Sequence, residues 1–254
     1  MSQTRQVLTV EQEPFLTVRS FACSYSSGHV IEQHRHAWHQ LLYACSGSMT
    51  VHTDRSSWMI PPGKAVWIPA QSSHSIRMWG NVAMRSLAFP ASLTEAAVGD
   101  CRVLSVTPLL RELILRVIAM PALDSRVPSH QNLLGVLLEE MSAAPLAPLA
   151  LPLPVDDRAL AAAQHVLACP SGGETLDLLS RRYGAGRRTL ERLFRNETGM
   201  SFGLWRQKVR MLDSVRLLSE GKSVTNAALD TGYTSVSAFI AAFKQTFGCT
   251  PGKL

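Results

Sequence analysis

One helix-turn-helix pattern occurs twice in the last 80 residues, and no other feature of the chain restricts its fold as tightly. The first copy is TLDLLSRRYGAGRRTLERLFRNETG, residues 175–199; the second is SVTNAALDTGYTSVSAFIAAFKQTFG, residues 223–248. Aligned on Gly184 and Gly232, their apolar anchors agree with a one-residue offset. Leu190, Leu193, Phe194 and Gly199 answer Phe239, Ala242, Phe243 and Gly248. A helix, a Gly-containing turn and a second helix with an apolar inner stripe lay that second helix into a DNA major groove. Two copies let one chain read two groove segments, which makes double-stranded DNA the first expected partner.

Charge follows the repeat. The chain carries +6 formally, and residues 156–254 hold 14 Lys/Arg against 9 Asp/Glu, whereas residues 1–155 hold 11 against 10. A basic balance confined to the repeat half suits a polyanion. At 254 residues the chain accommodates two domains. It has no apolar run long enough for a transmembrane helix, and its first residues, MSQTRQVLTVEQEPF, lack the apolar core of a secretory leader. The five cysteines are odd in number, widely spaced and in no CxxC pair, which points to a reducing cytoplasm and away from a disulfide framework or a cysteine zinc site.

The expected fold is α+β in two domains. Residues 16 to about 90 read as short strands punctuated by Gly and Pro, the pattern of a β-barrel or sandwich. Apolar spacing then predicts flanking helices over about 108–120 and 129–142. Residues 143–155, AAPLAPLALPLPV, read as a semi-extended Pro/Ala/Leu linker, since four prolines deny them a regular helix or a central strand. The expected domains are therefore 1–142 for ligand sensing and dimerisation, and 156–254, all-α, for DNA binding.

In the first repeat unit, Thr175 caps a short helix and Arg187 opens the second, which presents Arg187, Arg188, Glu191 and Arg192 outward. Arginine pairs bidentately with guanine, and a carboxylate accepts from cytosine. The second unit is nearly uncharged outside, with Ser235, Val236, Ser237 and Lys244 as its candidate DNA contacts. Base specificity is thus expected mainly from unit one and positioning from unit two. Between them, residues 201–219 read as one helix of roughly 28 Å, close to the ~34 Å of a DNA turn. Its Arg206, Lys208 and Arg210 are open to either phosphate contact or plain solvation.

The runs RTLERLF (Arg188 to Phe194), ETGMS (Glu197 to Ser201), GYTSVSAF (Gly232 to Phe239) and FGCTP (Phe247 to Pro251) resemble the DNA-binding domain of the AraC/XylS family of bacterial transcription regulators. Two positions depart: Gly186 stands where the family usually has a capping Ser, and Ser180 where a small Ala is usual. The resemblance implies a mostly activating regulator, a sensor barrel that takes a small-molecule effector, subunit pairing through the 108–142 helices, and RNA polymerase as a partner of an activator.

Six of the eight histidines fall within residues 29–74. Gly28-x5-His34-x-His36-x3-Gln40-x6-Gly47, followed by Gly63-x5-Pro69-x-Gln71-x2-His74, resembles the two cupin motifs. On one strand, residues 34, 36 and 40 share a face while His39 points away. His34, His36, Gln40 and His74 are thus the candidate ligand pocket. The three histidines are candidate ligands for a divalent metal, weakened by Gln40 standing in the place of the motif's Glu. Two functions follow: a ligand-responsive DNA-binding regulator, and, as the alternative, a metal-dependent cupin enzyme with an accessory DNA-binding tail. Loss of the Glu removes an anionic ligand and a base, and no nucleophile elbow, P-loop or dinucleotide fingerprint is present. The sequence therefore favours the regulator.

Overall fold

The computed structural model describes residues 16–54, 56–93, 100–147 and 149–253. The segment read above for a secretory leader lies outside them.

The first half is a two-sheet β-barrel. A seven-stranded sheet runs β10 (Ala122–Asp124), β1 (Leu16–Tyr25), β8 (Val82–Pro90), β3 (Trp38–Ala44), β6 (Lys64–Ile68), β9 (Arg102–Ser105) and β11 (Leu146–Ala147). A five-stranded sheet runs β12 (Ala150–Pro152), β5 (Ser56–Ile60), β4 (Ser48–Thr53), β7 (His74–Trp79) and β2 (Val30–His34). Strand β3 shows how the sequence divides the core. Leu41, Leu42, Tyr43 and Ala44 are all buried, but Leu42 and Ala44 join the barrel cluster while Leu41 and Tyr43 join a second cluster outside it. Alternation with a period of two sends neighbours to opposite faces, so a strand covered on both sides reads as one apolar run.

The outer cluster is roofed by α1 (Pro108–Ile118) and α2 (Pro128–Ala143), within two residues of the expected helices at either end. Leu110, Ile114 and Val117 of α1 and Leu134, Leu137 and Met141 of α2 are buried against Leu41, Trp67, Leu87 and Phe89. The apolar surplus expected for subunit pairing is therefore largely spent on the sheet, and Leu109 and Val136 remain exposed.

The expected linker departs from the sequence reading. Instead of running free, it supplies an edge strand to each sheet: β11 pairs with β9 and β12 with β5. Edge strands tolerate proline because one side makes no ladder bonds. Leu149 and Leu151 are buried there, so the segment is held by apolar burial that a reading based on proline content overlooks.

The second half is helical: α3 (Asp157–Ala168), α4 (Leu176–Arg182), α5 (Arg187–Thr198), α6 (Phe202–Ser219), α7 (Val224–Asp230) and α8 (Val236–Phe247). Its short motifs have local physical causes. Thr175, Ser201, Ser223 and Ser235 each cap a helix through the side-chain oxygen. Glu197 accepts the backbone N–H groups of Val155 and Asp156 at 2.7 and 3.0 Å, tying the end of α5 to the start of α3. Both units end on a left-handed glycine, Gly199 and Gly248. Phe194, Trp205, Phe239 and Phe243 fill the core around α6.

Candidate DNA-binding face and barrel histidines

In unit one, Leu190, Leu193 and Phe194 face the core, and Arg188, Arg192, Arg195 and Asn196 are exposed. Together with Arg187, Thr189 and Glu191 they line one open groove along α5. Arg187 is partly engaged, pairing with Asp177 at 2.9 Å, and Glu191 is half-buried. Arg195 extends the cationic stripe by one helical turn beyond the sequence reading; its spacing of seven from Arg188 was the available signal. Gly186, at the cap of α5, makes no side-chain cap bond, as its residue type dictates.

Unit two is less open than its sequence suggested. Val236 is half-buried and packed on the core, as is Ile240, so Val236 is turned away from the outward face assigned to it. The Ser235 hydroxyl is engaged by the Ala238 N–H. Ser237, Ala241 and Lys244 remain exposed.

The α6 cations resolve the choice left open by the sequence. Arg206 donates to the Glu174 carbonyl at 2.7 Å, and Arg210 donates to the carbonyls of Pro170 and Gly172 at 3.1 and 3.3 Å. Both brace the loop entering α4 and are committed to backbone carbonyls. Burial pushes the Lys208 ammonium below its usual range.

At one end of the barrel, His34, His36 and His74 converge, with one ring nitrogen of each within 4.8 Å of the others. His34 and His36 do not share one strand as expected, whereas His74 does come from a neighbouring strand. β2 ends at His34, His36 sits in the bend before β3, and His74 opens β7 as the register partner of His34. His39 points away, buried and stacked on Trp67, with its Nδ1 accepting from the Ala70 N–H. Nδ1 of His34, His36 and His74 lies 2.8, 2.7 and 3.0 Å from the carbonyls of Glu32, Trp38 and Ser72. Each Nδ1 therefore donates to its carbonyl, the arrangement by which metal-binding histidines hold Nε2 for an ion.

Burial holds His74 neutral, with its pKa lowered to about 4, and lowers that of His36 as well. Nε2 of His74 is buried and has no hydrogen-bond partner. Nε2 of His36 lies 3.0 Å from the Gln40 amide, which also meets the Ser86 hydroxyl at 2.8 Å. A neutral His36 accepts from Gln40 only if the amide turns its N–H toward the imidazole and its oxygen toward Ser86. The donor set, three imidazoles of which the buried His74 has an unpartnered Nε2, fits a divalent ion of borderline softness. Gln40 contributes no anion and competes for His36.

The fold and this helical face define a two-domain regulator with a cupin-like barrel. The model described as AraC-like ligand binding domain matches residues 21–152, and the helix-turn-helix domain model matches residues 179–254. The regulator NimR of Escherichia coli is 32% identical over 221 residues, covering 87% of this chain and 80% of that protein. The activator VirF of Yersinia enterocolitica is 34% identical over 82 residues, 32% of this chain and 30% of that protein. A solved structure of ToxT from Vibrio cholerae aligns with 93% of this chain and 94% of its own at 11% identity, with a TM-score of 0.39.

The chain belongs to the AraC family of helix-turn-helix transcription regulators. It is a DNA-binding, ligand-responsive regulator, and the enzyme alternative falls with that assignment.

Proposed function

We propose that the protein is a homodimeric transcription activator that docks α5 and α8 in successive major grooves and meets RNA polymerase from that position. The observation that carries this is the exposed α5 stripe of Arg188, Arg192 and Arg195, set on the same α6 scaffold as a second, nearly neutral α8 face. Arg187 and Glu191 support it at the edge of the stripe, and Ser237 and Lys244 are the contacts of unit two; Ser235 caps α8 and Val236 packs inward. Activation rests on the family and on VirF being named an activator. Pairing of subunits through α1 and α2 is supported by the exposed Leu109 and Val136. A cytoplasmic location is consistent with the finding that no helix among the described residues is long and apolar enough to cross a membrane.

The pocket formed by His34, His36, Gln40 and His74 is the proposed effector site. His34, His36 and His74 would hold a divalent ion, which supplies a Lewis-acid position for a coordinating effector when bound. The rest is done by the chain: backbone carbonyls orient the rings, and burial keeps His36 and His74 unprotonated.

The test is selection of bound duplexes from a random library, followed by affinities of Arg188→Ala and Arg192→Ala. Each is expected to lose about 1–3 kcal/mol on the selected site and to relax its preference at one base pair. Unchanged selectivity in both variants would remove α5 as the reading helix. Light scattering that gives a strict monomer at micromolar concentration would remove the dimer.

A further inference from the structure

The two repeat units differ at one matched pair of positions. In unit one, Asp177 on α4 accepts from Nη1 of Arg187, the first residue of α5, at 2.9 Å. In unit two, the equivalent positions, seven before the turn glycine and twelve before the closing glycine, hold Thr225 and Val236. Val236 packs inward on the core. An arginine at that place cannot be buried without a partner. The Asp177 carboxylate instead holds its head outside, where Arg187 lines the α5 groove with Arg188 and Arg192.

Asp177 stands on a fixed support. Thr175 caps α4 by accepting from the Leu178 N–H, and Leu179 anchors the helix in the core. Of the four arginines of α5, Arg187 is the one whose guanidinium is held by a carboxylate among the described residues. The side chains of the pair are 67% and 50% exposed, and ion pairs so open to water add little stability. What the bond imposes is direction. It uses one of the five guanidinium N–H groups and leaves enough for a bidentate contact to guanine O6 and N7. The first residues of a recognition helix are those that reach base edges. A carboxylate at the groove edge also repels phosphate, which keeps Arg187 from settling on the DNA backbone.

We propose that Asp177 is a positioning residue for DNA recognition: it fixes Arg187 so that the guanidinium reads a guanine in the major groove instead of pairing with phosphate. The proposal rests on α5 as the reading helix. Unit two, with Thr225 and Val236, lacks the device, so this guanine preference belongs to the half-site of unit one alone.

The test is fluorescence anisotropy of the full-length protein on the selected duplex, on a scrambled duplex and on duplexes altered at single base pairs. Arg187→Lys, which keeps the charge and loses the fork, marks the base pair that Arg187 reads. At that pair Asp177→Asn should lose about tenfold of the preference for guanine, and 7-deazaguanine should weaken the wild type but not the variant. On the scrambled duplex Asp177→Asn should bind about threefold more tightly, with a slope of log affinity against log salt steeper by about one. Selectivity lost at one base pair together with general affinity gained is a result that mere loosening of α4 does not give. In an Arg187→Lys background, Asp177→Asn should change selectivity no further. Melting curves check the fold; should Asp177→Asn melt early, Asp177→Thr, the residue type of unit two, replaces it. A guanine preference kept within about twofold in the Asp177 variant, selectivity lost evenly at all base pairs, no gain on the scrambled duplex, or unchanged selectivity in Arg187→Lys would each overturn the proposal. If Arg188→Ala and Arg192→Ala also leave selectivity intact, α5 as the reading helix fails with it; if those two are effective, the positioning role alone fails.

Discussion

The hydroxyls of Ser48, which opens β4, and Ser219, which ends α6, lie 2.7 Å apart. Gly80 closes on the same point: a Cβ there would collide with the Ser219 carbonyl oxygen. The barrel and the helical half are thus in backbone-level contact. The Trp205 indole adds a bond to the Pro152 carbonyl at 2.8 Å.

Gly80→Ala should therefore act on the seam between the halves. With φ +68 and backbone in the way, it should cost about 1–3 kcal/mol. Denaturant unfolding would measure this, and limited proteolysis should show earlier cutting between the halves. A variant as stable as wild type would contradict the contact.

Gly184 and Gly232 hold equivalent places in the two repeat turns, with φ +66 and +83, yet their surroundings differ. A Cβ at Gly184 meets nothing within 4 Å, whereas at Gly232 it meets Nη1 of Arg210 at 3.0 Å. Gly184→Ala should cost about 1 kcal/mol, from backbone strain alone. Gly232→Ala should cost more, because displacing Arg210 also disturbs its bonds to Pro170 and Gly172. Repeating both substitutions in an Arg210→Ala background should make the two costs equal. If the excess persists there, crowding against Arg210 is not its source.

The His74 pKa of about 4 makes the metal-free protein sensitive to acid. Between pH 6.5 and 4 the unfolded chain binds a proton at this residue that the folded chain refuses. Stability from this group is full above 6.5, falls as pH drops toward 4 and is flat below; the loss is about 3 kcal/mol at most. Urea unfolding from pH 7 to 4 in chelator, compared with His74→Gln, isolates it. Parallel pH profiles for the two proteins would contradict the assignment.

Gln40→Glu should tighten divalent metal binding at least tenfold, since it adds an anionic ligand and removes the amide competing for His36. Zinc competition against a chromophoric chelator measures the change. Affinity equal to wild type would place the ion elsewhere.

The helical half was legible because its signals are local. Capping residues, turn glycines and a 3.6-residue apolar stripe each act within a few positions, so α4, α5, α7 and α8 follow from the letters. The histidine cluster was legible as a set of residues but not as a geometry. His34 and His36 meet through a bend between strands, which period-two reasoning on a single strand does not contain. The Pro/Ala/Leu segment misled for a related reason. Proline content reports what a segment cannot form, while the burial of Leu149 and Leu151 depends on sheet edges built from distant residues. Val236 was misplaced because the packing of α8 on the core, rather than the helix period, decides its environment.

The strand β12 has a practical bearing on anyone who would divide this chain. Its last residue, Pro152, lends its carbonyl to Trp205, deep in the helical half, while Leu151 stays buried in the barrel. A cut just before residue 156 would strip the helical fragment of that indole partner and of the Val155 amide that Glu197 accepts. Poor folding of such a fragment would then report the choice of scissor point, not any inability of the repeat to stand alone.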